Sequence, residues 1–116
     1  MRHERITDDA KGWFAGAWNA DLAVSVGFAN EGIDEPHVHS QITEIYLVAR
    51  GSSSIRVGHE TIELREGDAL IIEPGEAHTF LSSSDDYRHF VIHTPGLAGD
   101  AARNEKLLVP RSQLSL

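Results

Sequence analysis

Between residues 24 and 94 the chain alternates short apolar runs with Gly, Pro and polar turns. Apolar side chains at every second position mark a half-buried strand, because successive strand side chains point to opposite faces. Val24, Val26 and Phe28 alternate in this way with Ser25 and Gly27, and Asn30-Glu31-Gly32 ends the run. Residues 44–48 read as a mostly buried strand closed by Arg50-Gly51. Residues 53–57 and 61–65 form a predicted hairpin around Gly58-His59-Glu60, and residues 69–73 a strand stopped by Pro74-Gly75. Two further strands, 78–82 and 87–93, are joined by Ser83-Ser84-Asp85-Asp86, and Pro95-Gly96 ends the series. Seven or eight short strands with this punctuation predict an all-β sandwich or barrel. Residues 98–106 read as a short helix, and the polar first 11 residues are expected to pack loosely. A chain of 116 residues is the size of one domain, residues 1–116. The barrel core is expected over about residues 12–96, with a C-terminal tail, 97–116, draped over it or over a partner.

Charge and composition narrow the function. Eighteen acidic residues against ten Lys and Arg give a net charge of −8, so the basic patch that drives nucleic-acid binding is missing, and anionic lipid would repel the chain. No apolar run approaches the roughly 20 residues of a membrane span, and the first residues lack the apolar stretch of a secretory signal, so the expected location is cytoplasmic. There is no cysteine, which removes disulfides, thiolate metal sites and thiol nucleophiles. Seven histidines are the compositional oddity.

Three of the seven, His37, His39 and His78, fall in Pro36-His37-Val38-His39-Ser40-Gln41-Ile42-Thr43-Glu44 and after the Pro74-Gly75 turn. His37 and His39, two apart on a strand, project on the same face, and the short link to Glu44 lets the carboxylate return to that place. A lone His-x-His pair is more often a surface or hydrogen-bonded pair. Three imidazoles and a carboxylate that converge form instead a ligand set for a divalent first-row metal, with positions left open for water or substrate. The segment from Gly32 to Gly51 reads G-x4-H-x-H-x4-E-x6-G, and that from Gly67 to His78 reads G-x6-P-G-x2-H. These resemble the two motifs of the cupin superfamily, separated by residues 52–66, although Glu73 and Ser82 replace the usual proline and asparagine. The resemblance implies a double-stranded β-helix, or jelly-roll, barrel. It implies one divalent transition metal (Fe, Mn, Ni, Co, Cu or Zn) held by His37, His39, Glu44 and His78.

Around that set, Tyr46 and Val48 share the face of Glu44 and are expected to line the cavity. Tyr87, His89, Val91 and His93 share one face of the last strand, and of its histidines only His93 is assigned inward. Tyr46 and His93 are thus the candidates for a catalytic acid or base beside the metal. Trp13, Phe14 and Trp18 read as core or as an interface, and relatives of this kind commonly pair through edge strands, which implies a homodimer. Arg56 alternates with Ile55 and Val57 and is expected at the solvent. The function read from these residues is a metal-dependent enzyme acting on a small organic molecule, of dioxygenase, isomerase or lyase type. The alternative is a non-catalytic binding or sensor module for a sugar or organic acid. A metal that merely staples the fold is a weaker third reading, because a closed structural site has no use for a cavity.

Overall fold

Ten short strands interrupted by tight turns follow the expected punctuation, and the computed structural model describes them across residues 1–116. They are β1 (Lys11–Ala15), β2 (Ser25–Ala29), β3 (His37–His39), β4 (Thr43–Arg50), β5 (Ser52–Val57), β6 (Glu60–Arg65), β7 (Ala69–Ile72), β8 (His78–Ser83), β9 (Arg88–Thr94) and β10 (Lys106–Leu108). One helix, α1 (Gly99–Glu105), precedes β10, and a 3-10 turn (Arg111–Leu114) follows it. The strands form two antiparallel five-stranded sheets, in the orders β1-β2-β9-β4-β7 and β10-β3-β8-β5-β6. Successive strands thus cross repeatedly between the sheets, the double-stranded β-helix of the cupin barrel. No helix is long and apolar enough to cross a membrane.

Apolar packing is concentrated in one part of the space between the sheets. There Tyr46, Val48, Ile55, Leu64, Ile72, Phe80, Tyr87 and Val91 form a continuous buried cluster. Elsewhere the inner wall is polar. Ser25, His39, Glu44, His78 and His89 are all buried. This explains a reversal on β2. The apolar Val26 and Phe28 lie on the outer face, where Phe14 stacks over Phe28 at 5.1 Å, while Ser25, Gly27 and Ala29 face inward opposite His93, Val91 and His89 of β9. Gly27 permits this arrangement. A Cβ there would come within 2.7 Å of the Trp13 ring and 2.6 Å of the Gly12 carbonyl oxygen.

The C-terminal segment is an integral part of the architecture. β10 adds an edge strand to the second sheet, pairing Lys106 with His39, Leu107 with Val38 and Leu108 with His37. Leu114 is completely buried, and its carbonyl accepts a 2.9 Å hydrogen bond from Arg56 Nε. Arg56 therefore does not simply face solvent. It is partly buried and pins the chain end, with a second bond from Nη1 to Thr61 Oγ1. Strand β1, which covers Lys11 to Ala15, lies where the polar start of the chain left no two-residue period to read.

Candidate functional site

β3, β4 and β8 each deliver a part of the site. His37 and His39 are the ends of the three-residue β3, Glu44 begins the inward set of β4, and His78 opens β8 directly opposite His37. One ligand atom from each of these four lies within 4.8 Å of every other. The sequence-predicted set therefore comes together. His39, Glu44 and His78 are buried, and His37 is partly so.

The second nitrogen of each imidazole shows which way the rings are held. His37 Nδ1 donates to the Glu35 carbonyl at 2.6 Å, His78 Nδ1 to the Glu76 carbonyl at 2.9 Å, and His39 Nδ1 to the Glu105 carboxylate. A proton on Nδ1 of a neutral ring leaves a lone pair on Nε2. His78 Nε2 lies 2.9 Å from Glu44 Oε1 and His39 Nε2 lies 3.6 Å from Glu44 Oε2, while His39 Nε2 is buried with no hydrogen-bond partner. Lone pairs facing a carboxylate repel one another unless a positive charge lies among them. An orphaned nitrogen in such a donor set fits a divalent cation held by His37, His39, Glu44 and His78.

The electrostatics differ from one member of the set to the next. Burial and the neighbouring His78 push the His37 imidazole down to about 4, so it is neutral and available at neutral pH. Burial opposes charge on His39, but Glu44 and Glu105 on either side more than offset it and raise its pKa. Burial likewise works against the Glu44 carboxylate, yet the imidazoles of His39, His78 and His93 gathered around it hold it well below the usual carboxylate range.

The two candidate catalytic groups both bind Glu44. Tyr46 donates its hydroxyl to Glu44 Oε1 at 2.6 Å, and His93 Nε2 lies 2.5 Å from Glu44 Oε2. Burial, with the Glu44 charge beside it, raises the Tyr46 phenol well above its ordinary value, so it donates and does not act as a base. The inner face of β9 carries His89 as well as His93, and His89 is the more deeply buried. Its assignment to the interior exceeds what the strand pattern gave, because Phe90 and Ile92 supply an equally strong apolar alternative face. Trp13, on the edge strand β1, and Trp18 are not part of the buried core. They are each 47% exposed and stand edge to face at the mouth of a cavity of about 860 Å³ that also borders His37, His39, Glu44, His89 and His93.

Glu105 is the functional residue that sequence reasoning missed. It ends α1, is 2% exposed, and its carboxylate bonds His39 Nδ1 and the backbone N–H groups of Gln41 and Ile42. It therefore orients one ligand and anchors the loop that leads to Glu44. Nothing local marks it, since a glutamate in a short C-terminal helix reads as solvated.

A family model described as an AraC-like ligand binding domain matches residues 22–115. A cupin protein from Bacteroides fragilis is 26% identical, with a TM-score of 0.65 over 84% of this chain and 88% of that one. The Streptomyces nucleoside dehydratase Pac13, in a variant bound to uridine, has a TM-score of 0.67 over 94% and 92% of the two chains at 14% identity. KdgF from Halomonas sp. has a TM-score of 0.64 over 86% and 91% at 17% identity. These last two likenesses are of fold alone. An uncharacterized protein of Streptomyces coelicolor is 36% identical over 62 residues, a match that spans 53% of this chain and 58% of that relative's length.

Replacing Glu105 by Ala is expected to weaken divalent-metal binding by about 10–100-fold, the usual effect of losing the group that orients a metal-ligating histidine. Competition with a chromophoric chelator measures it, and unchanged affinity would remove Glu105 from the site. A second expectation concerns acid stability. Burial lowers His89 to about 4 from an ordinary 6.5, so the unfolded chain takes up its proton first. The stability associated with neutral His89 is complete above pH 6.5 and is lost as pH falls toward 4, by roughly 3 kcal/mol at most. Urea midpoints of chelator-treated protein across that range should fall more steeply for the wild type than for His89→Phe. Parallel curves would contradict the assignment.

Proposed function

We propose that this chain, which belongs to the AraC-like ligand binding domain family of cupin-type barrels, is a metal-dependent enzyme acting on a small organic molecule. The observation that carries the reading is the convergence of His37, His39, Glu44 and His78, of which the first three line an open cavity while the fully buried His78 stands behind them. A divalent metal bound there supplies a Lewis acid with coordination positions free for a substrate oxygen. The protein's own groups hold that arrangement. Glu35, Glu76 and Glu105 orient the three imidazoles, while Tyr46 and His93 fix the two oxygens of Glu44. The half-exposed Trp13 and Trp18 flank the entrance, and the apolar lining contributed by Ile33, Ile42 and Leu97 desolvates whatever enters. Isomerase, lyase or dioxygenase chemistry fits such a centre.

A binding or sensor module is the second reading, and one observation favours it. The two polar groups nearest the ligand set are already committed, Tyr46 as a donor to Glu44 and His93 in a 2.5 Å contact with it. Neither stands ready as a free general base. The two readings separate on turnover. Near-stoichiometric Fe, Mn, Ni, Co, Cu or Zn is expected by elemental analysis of the wild type and is expected to vanish in the His37→Ala/His39→Ala variant. Metal-loaded wild type should consume a 1,2-dicarbonyl, catechol, keto acid or sugar acid, and His78→Ala should lose that activity while staying folded. Binding without product would select the sensor. Absence of metal after reconstitution with each ion would end the metal reading.

A second copy of the chain is the proposed macromolecular partner, through a sheet face and not an edge strand. On the outer surface of the first sheet, Val26, Ile92, Ile45 and Ile71 form one cross-strand row, and Phe28, Phe90, Leu47 and Ala69 form another. Ile71 is 59% and Leu47 38% exposed. Phe14 already covers Phe28 and packs on Phe90, so the part of these rows left open centres on Leu47 and Ile71, an apolar patch that two-fold packing would bury. Sedimentation at micromolar concentration should give a dimer, and the Leu47→Glu/Ile71→Lys variant a folded monomer. A wild-type monomer would exclude this interface.

A further inference from the structure

His89 is a buried polar group of the cavity wall that the metal cluster does not use. It lies four residues along β9 from His93, with Tyr46 between it and Glu44. The Tyr46 hydroxyl reaches Glu44, and the Tyr46 ring packs 4.7 Å from the His89 ring. Phe80 stacks on the imidazole at 5.4 Å and Tyr87 meets it edge-on at 5.3 Å, so three aromatic rings enclose it.

The proton on this imidazole can be located. Tyr87 is 1% exposed, and its hydroxyl lies 2.7 Å from His89 Nδ1 with no other hydrogen-bond partner. A buried phenol that only accepted would leave its own proton unsatisfied, so the satisfied arrangement has Tyr87 O–H donating to Nδ1. Burial keeps both groups neutral at neutral pH. The ring proton then sits on Nε2. No protein group reaches Nε2, and His89 borders the cavity. The result is a fixed, neutral N–H donor at the end of the cavity away from the metal ligands.

The surroundings select what that donor binds. The cationic side chains along the cavity, Lys11, Arg103 and Lys106, are all exposed; Lys11 comes nearest in register, two strands from His89 across Ala29, and the charge acting on His89 is that of Glu44. A carboxylate moved into this aromatic recess would lose its hydration without gaining a counter-charge, and Glu44 would repel it. An uncharged oxygen loses far less and gains a hydrogen bond. We propose that His89 Nε2–H anchors an uncharged carbonyl or hydroxyl oxygen, so that the ligand carries one oxygen function toward His37, His39, Glu44 and His78 and a second, neutral one toward His89. This rests on the reading of the cavity as a ligand site, and it names the chemistry of that ligand's inner end.

Histidine-selective nitrogen-15 NMR on the full chain tests it, with 2-pyrrolidinone as the neutral probe and acetate as the charged one. His89 is expected as the Nε2–H tautomer, and 2-pyrrolidinone is expected to shift that Nε2 resonance. Acetate should bind there at least about tenfold more weakly. His89→Phe should lose about tenfold in 2-pyrrolidinone affinity, whereas His89→Gln, whose amide N–H also donates, should stay within a few-fold of the wild type. An Nδ1–H tautomer, equal binding of acetate, or undiminished binding to His89→Phe would each overturn the proposal. Elemental analysis of the same samples keeps failure of the metal site separate, because the probe needs no ion to reach His89.

Discussion

A carboxylate inside a small β-barrel is costly unless donors or a cation surround it, and the architecture around Glu44 is arranged to meet that cost. Its two oxygens are met by the Tyr46 hydroxyl, His78 and His93, with His39 just beyond hydrogen-bond range at 3.6 Å. Four strands, two from each sheet, must be held in register for this to happen. Glu44 pairs with His93 across one sheet and His37 with His78 across the other, so the constellation is a product of sheet registry and not of any local turn. A slip of one residue on β4 would point Glu44 away from the interior and put Ile45 inside, which is why the candidate metal site and the fold are specified together.

The motif residues made the centre readable from the amino-acid sequence. His37, His39, Glu44 and His78 occupy positions whose spacing only makes sense if strands bring them together, and the strand and turn punctuation gave most element boundaries to within a residue or two. What the pattern left open follows from one physical fact. Hydrophobic periodicity points to a core, but part of the interior of this barrel is a polar cavity. On β2 and β9 the apolar side chains, Val26, Phe28, Phe90 and Ile92, therefore face outward, and Ser25, His89 and His93 face in. An outer face covered by Phe14, and open to a partner beyond it, obeys the same burial rule as a core. Periodicity alone cannot say which side is the inside.

The C-terminal segment was hidden for a different reason. Residues 97–116 lack a strand period, and their contributions are all long-range. Glu105 reaches His39 across 66 positions, Arg56 reaches Leu114 across 58, and Lys106 pairs with Glu35 across 71. β10 buries no side chain of its own, so its hydrogen bonds to β3 leave no trace in the apolar pattern. Yet this segment fixes β3, and β3 carries two of the four ligands. An element weakly encoded in the pattern thus stabilises the one most strongly encoded in the motif.

The two ends of the cavity are held by opposite electrostatic strategies, and Tyr46 is the boundary between them. On one side its hydroxyl faces Glu44, where negative charge is concentrated among imidazoles and a cation is favoured. On the other its ring faces His89, where aromatic burial lowers the imidazole to about 4 and keeps it uncharged. Were His89 cationic, it would compete with a metal for the field of Glu44. Were it apolar, nothing at that end would orient a polar ligand. A neutral imidazole locked by Tyr87 avoids both, and it lets a single side chain separate the charged chemistry of the centre from the recognition of an uncharged group only one aromatic ring away.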